Sequence, residues 1–299
     1  AIVCTTTLAM GVDYPASWVI VKDIKRFNGA YAQFIPNLEM QQIVGRAGRP
    51  RFDKEGIAVL LCKSSEVNEV AEKYVYGKLE DIYSKLSSEP VLRMHTLSLI
   101  ASNEANDFKS VYSFFEKTFY AYQYKNTEEL FSKIESAVNE LKELDFCREK
   151  NAMLVATPVG KRVSELYIDP LSAAKLLEFI SKTAKKTASN TASSAASSDF
   201  EYVLALNSVN EARPLVAAKT DELKKLWEEL YALEDFDFSS PEAPDVFKSA
   251  KLLNAWINEG TEEQIMRDFS IPPGVLHARN RIMEWLAYAM QELAFLENQ

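Results

Sequence analysis

Gln41-Gln42-Ile43-Val44-Gly45-Arg46-Ala47-Gly48-Arg49-Pro50 is the segment from which the rest of this 299-residue chain is read. Arg46 and Arg49 are three apart, so on a helical turn they share a face. Two permanently charged guanidinium forks can then converge on one polyanion. Gly45 and Gly48 remove side chains and let a phosphate approach the backbone. Arginines so placed stabilise charge developing on a transferred γ-phosphoryl group, an effect of about 10³–10⁵ in rate. Two isolated arginines would suit better a structural ion pair with nearby acids or a simple phosphate-backbone contact; embedded in this ten-residue string, they favour the catalytic reading. Working outward, strand-like runs at 1–5, 18–21 and 57–61 alternate with helical runs at 38–45 and 65–76, an α/β pattern. Val19-Ile20-Val21 is apolar on consecutive positions, as in a strand covered on both faces. Asn28-Gly29, between the runs 18–27 and 31–35, predicts a projecting β-hairpin.

Upstream lies Thr5-Thr6-Thr7-Leu8-Ala9-Met10-Gly11-Val12-Asp13-Tyr14-Pro15-Ala16. A strand ending here delivers three hydroxyls into a loop at its C-terminal edge, where open α/β sheets bind ligands. Hydroxyls and backbone N–H groups suit nucleic-acid phosphates, and Asp13 can accept from a ribose hydroxyl. Thr-rich strand ends are common, so this string gains its meaning from its order and spacing relative to the arginine segment.

Downstream the pattern changes twice. Residues 86–167 predict helices over 91–101, 108–120 and 127–144. Acids at Glu128 and Glu129 fall in the first turn of the third. Short runs at 147–150 and 153–156, with Thr157-Pro158-Val159-Gly160, complete a small wing. Three helices and a small β element make a winged-helix pattern, with a plain helical linker as the alternative. Residues 168–299 read as all-helical. Asp169-Pro170 opens a helix through 182, and others follow over 200–206, 220–234, 244–258, 261–269 and 272–296. The last carries Leu276, Ile282, Met283, Leu286, Ala289, Met290 and Leu293 on one apolar face. Residues 183–199 contain no aromatic residue, Leu, Ile or Val, and such a stretch is expected to be a flexible loop.

Composition narrows the classes. The chain is 47% hydrophobic and 26% charged, with 34 Lys+Arg against 43 Asp+Glu for a net charge of −9. That balance is globular and disfavours bulk nucleic-acid binding, so any such binding must use local basic or aromatic features. No run of 18 apolar residues suggests a membrane span. Three scattered cysteines and two histidines match neither a disulfide framework nor a metal site, and fit a reducing cytoplasm.

With these segments in view, the sequence resembles a known family. The two N-terminal strings are similar to motifs V and VI of superfamily-two helicases. More narrowly they resemble the Ski-like group, and within it the archaeal DNA helicases associated with stalled replication forks. Gly45-Arg46-Ala47-Gly48-Arg49-Pro50 followed by Asp53 resembles that branch more than the RNA-exosome branch. Ser84-Lys85-Leu86, Leu92-Arg93-Met94-His95-Thr96-Leu97-Ser98, Ala156-Thr157-Pro158-Val159-Gly160 and Leu166-Tyr167-Ile168-Asp169-Pro170 resemble its winged-helix signatures. Glu284-Trp285-Leu286-Ala287-Tyr288-Ala289-Met290 resembles its DNA-contacting ratchet helix.

The resemblance implies part of a second RecA-like domain over 1–85, a winged helix over 86–167 and a helical ratchet domain over 168–299. It implies that Gln42, Arg46 and Arg49 face the ATP γ-phosphate, and that Gly11 and Asp13 line the nucleotide cleft. Thr6 and Thr7 would touch phosphates of the tracking strand. The Asn28-Gly29 hairpin falls where the family has its strand-separating pin, with Phe27 and Tyr31 stacked at the duplex junction; alternatively both merely pack the hairpin. This loop is one residue longer than the family's, with Ala30 inserted or replacing the aromatic. Trp285 would stack on a base of the departing single strand, an interaction of about 1–3 kcal/mol. The family's arginine two turns earlier is Ala278 here. Arg281, one turn before Trp285, is the expected substitute, with Arg279 a neighbour.

Neither a Gly-x-x-x-x-Gly-Lys-Ser/Thr string nor an Asp-Glu-x-His-type motif occurs. The phosphate cradle and Mg²⁺ ligands are therefore expected in a first RecA-like domain preceding Ala1, and the absence of an initial Met or signal region fits an excised piece. The implied function is the C-terminal portion of an ATP-dependent 3′-to-5′ DNA helicase. Its cofactors would be ATP and Mg²⁺. Its partners would be single-stranded or forked DNA and its own N-terminal RecA-like domain; no membrane is involved and a monomer is expected. Alone, the chain is expected neither to hydrolyse ATP nor to unwind DNA, and to bind single strands modestly. The alternatives are an RNA helicase or remodeller of the same superfamily and a non-catalytic winged-helix adaptor.

Overall fold

The computed structural model describes residues 1–5, 16–27, 32–48, 53–188, 199–233 and 240–297. Its packing divides into two units, Ala1–Tyr83 and Ser84–Gln299. In the first, β1 (Trp18–Val21) pairs in parallel with β4 (Ile57–Leu60), Trp18 opposite Ile57 and Val21 opposite Leu60. β-branched residues favour this pleated, half-buried setting. β2 (Lys25–Phe27) and β3 (Ala32–Phe34) form the expected antiparallel hairpin, from Lys25 opposite Phe34 to Phe27 opposite Ala32. Helices α1 (Asn37–Val44) and α2 (Val67–Tyr74) pack on this framework. Val21, Ile24, Ile35, Met40, Ile43, Val70 and Tyr74 make the core.

Two expectations fail here. Residues 1–5 form no regular element and are exposed, Val3 fully so. A strand needs a neighbour to satisfy its backbone groups, and no described strand pairs with this segment. Nor is β1 covered on both faces: Val21 is buried, whereas Trp18 and Ile20 remain 60% and 63% exposed. The apolar run is there, but among the described residues only one face of the two-stranded sheet has a cover.

The second unit is built around α3 (Glu89–Ala101), which packs against α6 (Thr127–Glu143), α7 (Pro158–Leu166) and α8 (Pro170–Ala188). The predicted helix 108–120 is two helices, α4 (Phe108–Phe115) and α5 (Phe119–Tyr124). The Thr118 hydroxyl donates to the Phe115 carbonyl at 2.6 Å, offering the backbone a partner in place of helix continuation. β5 (Cys147–Lys150) and β6 (Met153–Ala156) pair antiparallel. Thr157-Pro158-Val159-Gly160 does not belong to a wing but starts α7. Thr157 accepts from the Gly160 amide at 3.0 Å as N-cap, and Pro158 at N1 suits a helix start. Gly160 is needed because a Cβ there would lie 1.9 Å from the Phe146 carbonyl oxygen.

Then follow α9 (Asp199–Asn207), α10 (Leu223–Leu230), α11 (Ala243–Ile257), α12 (Glu262–Phe269) and α13 (Pro273–Glu297). α8 runs six residues past the expected end at 182, because Ala and Lys propagate an existing helix readily. The expected loop 183–199 is thus helical to Ala188 and again from Asp199; residues 189–198 lie outside the described ones. One hydrophobic core runs from Leu92 to Leu293 without a break at 167.

Candidate nucleotide and nucleic-acid interface

In the first unit, the arginine segment leaves α1 through a tight turn. The Gly45 amide donates to Gln41 at 2.8 Å, Arg46 to Ile43 at 3.2 Å and Ala47 to Val44 at 2.9 Å. The chain then meets the end of the upstream threonine string. Ala16 N–H donates to the Arg46 carbonyl at 3.0 Å, and Gly48 N–H donates to the Ala16 carbonyl at 2.7 Å. Gly48 takes φ +93°, a conformation open to glycine. The Ser17 hydroxyl donates to Asp53 at 3.1 Å, and Ile57 N–H to the Ser17 carbonyl at 3.0 Å. Three separate segments thus converge at the N-terminal ends of β1 and β4. Residues 1–5 form no strand, and the loop expected to follow them lies outside the described residues.

Gln42 is exposed on α1 and Arg46 is half-buried. The positions assigned to Arg49, Gly11, Asp13, Thr6, Thr7 and Tyr31 lie outside the described residues, as does the side chain of Phe27. The N-terminus of α1 is held from a distance. Both Glu80 carboxylate oxygens accept from it, from Asn37 N–H at 2.5 Å and Leu38 N–H at 2.8 Å. These amides lower the Glu80 pKa. Asn37 donates in turn to the carbonyls of Lys73, Gly77 and Lys78. Sequence reading missed this clamp, because Glu80 is 43 residues from Asn37 and no local pattern links them.

In the second unit, α13 carries Trp285 half-buried, its indole N–H donating to the Leu166 carbonyl at 3.0 Å. Arg162 of α7 reaches the same helix, to Glu292 at 2.8 Å and the Tyr288 hydroxyl at 3.0 Å. Arg281 is exposed. Arg279 is 3% exposed and faces inward, donating to Asn207 Oδ1 and Pro214 O, each at 2.6 Å, and to Ala212 O at 3.2 Å. Burial pushes its guanidinium down to about 10, still charged near neutrality. Arg279 is therefore a core strut, and of the two arginines beside Trp285 only Arg281 faces outward.

Arg93 is a further inward charge. It makes two hydrogen bonds to Asp169, at 2.9 and 3.1 Å, and one to Glu140 at 2.5 Å. Asn210 donates to the same Asp169 at 2.7 Å. The signal was present in the sequence: Arg93 stands in the apolar run Val91-Leu92-Arg93-Met94, where a charge must be paired.

Residues 200–299 match a family model for an archaeal helicase, domain 4, and residues 56–148 match a helix-turn-helix domain. Curated relatives similar to this chain bear the name ATP-dependent DNA helicase Hel308. Those of Pyrococcus horikoshii, Methanococcus vannielii and Pyrococcus abyssi are 36%, 34% and 34% identical to it, over 98%, 99% and 98% of this chain. The chain is a homologue of the Hel308 helicases. It spans 40%, 43% and 40% of the length of these relatives. The Hel308 likeness therefore takes in the arginine segment and the Trp285 helix alike. The archaeal-helicase match contains Arg279, Arg281 and Trp285, and the helix-turn-helix match contains Arg93.

Proposed function

We propose that this chain is the C-terminal portion of an ATP-dependent DNA helicase that tracks 3′ to 5′ along a single strand. In this reading residues 1–85 supply one side of an ATP site, and a winged helix over 86–167 and a ratchet domain over 168–299 hold DNA. The observation that carries the reading is the backbone pairing of Ala16 with Arg46 and Gly48. It joins Ala16, the last residue of the threonine string, to the arginine string 30 residues on.

The donors at this place suit a phosphate chain: an exposed Gln42 carboxamide and the Arg46 guanidinium, beside a glycine backbone. Gln42 and Arg46 would bind and orient the γ-phosphate, with Arg49 beside them and Gly11 and Asp13 towards the ribose. A guanidinium there stabilises charge developing on the transferred group. Among the described residues no three His, Cys, Asp or Glu side chains gather as metal ligands. In this reading the Mg²⁺ ligands belong to an N-terminal RecA-like domain. Thr6 and Thr7 would hold strand phosphates, while Phe27 and Tyr31 would meet the duplex junction. Trp285, its ring edge tied to Leu166, would stack on a base, and Arg281 would contact the adjacent phosphate.

The test is Arg46→Ala or Arg49→Ala in the full-length protein. DNA-stimulated ATP turnover should fall about 10³-fold or more, with single-strand binding near normal by fluorescence anisotropy. Unchanged turnover would favour a non-catalytic adaptor, and robust ATPase activity from this chain alone would refute the split-site reading.

A further inference from the structure

We infer that the two legs of the β2–β3 hairpin and α1 move as one lever, in which Tyr74, Arg26 and Glu39 are positioning residues that couple the nucleotide state to strand separation. This rests on the motor reading above and assigns its coupling to named side chains.

Tyr74, on α2, is 4% exposed. Its hydroxyl donates to the Ile35 carbonyl at 2.7 Å and lies 3.4 Å from that of Ile24. These two residues flank the hairpin, and Ile35 N–H itself donates to the Ile24 carbonyl at 3.0 Å. One buried hydroxyl therefore sits where the two legs leave the core. The Tyr74 ring meets Phe34 of β3 edge-on, with centroids 6.3 Å apart. The backbone of the same tyrosine is tied to α1, because Gln41 Nε2 donates to the Tyr74 carbonyl at 3.1 Å. Gln41 adjoins Gln42. A second link is direct: Arg26 of β2 grips Glu39 of α1 with two parallel hydrogen bonds, 3.0 and 3.1 Å. Lys25, beside it, reaches Glu66 at 2.8 Å.

These links differ in strength. The Glu39 side chain is 13% exposed and that of Arg26 57%. An exposed ion pair contributes little to stability, but its two-pronged geometry fixes direction as well as distance. A buried hydroxyl is costly to leave without an acceptor. A turn of α1 towards a bound phosphate therefore carries Gln41 and Glu39 with it. The hairpin must follow, because pivoting at Ile24 and Ile35 would strand the Tyr74 hydroxyl. Tyr74 supplies the stiffness and the Arg26–Glu39 pair the orientation.

The experiment compares unwinding of a forked duplex with single-strand-stimulated ATP hydrolysis in the full-length protein, thermal melting confirming the fold of each variant. Tyr74→Phe removes one hydroxyl and keeps the ring. ATP hydrolysis should stay within about twofold while unwinding falls about three- to tenfold, as loss of one hydrogen bond implies. Arg26→Glu and Glu39→Arg should each uncouple in the same way, and the double reversal should restore unwinding. The inference is overturned if all these variants unwind like the wild type, if hydrolysis and unwinding fall in parallel, or if the reversal does not rescue. A wild type that neither hydrolyses ATP nor unwinds DNA overturns the motor reading, and the lever with it.

Discussion

Arg93→Met tests the structural centre of the second unit. The side chains of Arg93 and Asp169 are 4% and 7% exposed, so their attraction acts in a medium far less screening than water. Removing one partner of such a buried pair costs about 3–5 kcal/mol, because the other charge is left buried. Two details place this case at the lower end. Asp169 keeps the Asn210 amide at 2.7 Å and the Leu171 amide at 3.4 Å. Glu140, with 36% of its side chain exposed, recovers hydration. Methionine retains most of the apolar stem, so little cavity is expected. The expected loss is about 3 kcal/mol, a fall in Tm of about 6–12 °C for a unit of roughly 150–250 residues. Melting followed by circular dichroism at neutral pH reads it directly. Added salt should barely change the difference, since buried pairs are weakly screened. Arg93→Met with Asp169→Asn should melt above the single variant, because the double change removes the orphaned charge. A single-variant shift below about 2 °C, or a double variant no better than the single, would refute the reasoning.

Gly160→Ala should destabilise by about 3 kcal/mol, the upper end for overpacking, because the atom met at 1.9 Å is the Phe146 backbone carbonyl oxygen and cannot rotate aside; urea unfolding measures this, and a change under about 0.5 kcal/mol would contradict it. Glu80→Gln probes the clamp on α1. The Asn37 and Leu38 amides hold this carboxyl below its ordinary 4.5, so its contribution is present above that value and is lost as pH falls through the lowered one. The stability difference between wild type and Glu80→Gln should therefore be full near pH 6 to 7 and shrink as acid is added below about pH 4; a difference that is constant with pH in chemical denaturation contradicts the assignment.

Much of the chain was legible because its signals are local. The runs 147–150 and 153–156 reappear unchanged as β5 and β6. Helices over 91–101, 127–144 and 272–296 reappear within two residues at either end. Apolar period and capping chemistry lie within one or two turns and survive any tertiary context. Where a signal had two meanings, the reading failed. Thr157-Pro158 serves as a turn or as an N-cap with Pro at N1, and here the Thr157 hydroxyl caps α7 while Gly160 fits against the Phe146 carbonyl. The apolar run 1–5 has strand composition, but a strand exists only with a neighbour.

By itself the sequence determined which residues are the candidates for phosphate and base contacts: the Gln41-to-Pro50 string, the threonine string before it, and the amphipathic last helix bearing Trp285. Residue type and spacing suffice for that, since charge, hydroxyl and periodicity are properties of the chain. Tertiary structure alone decided which of Arg279 and Arg281 turns inward and what the inward charges meet. Arg279 faces Asn207, 72 residues away, and Arg93 faces Asp169, 76 residues away, while Arg281 points out. A buried guanidinium takes whatever acceptors the packed helices bring within 3 Å or so, and that choice is made by packing geometry rather than by sequence separation.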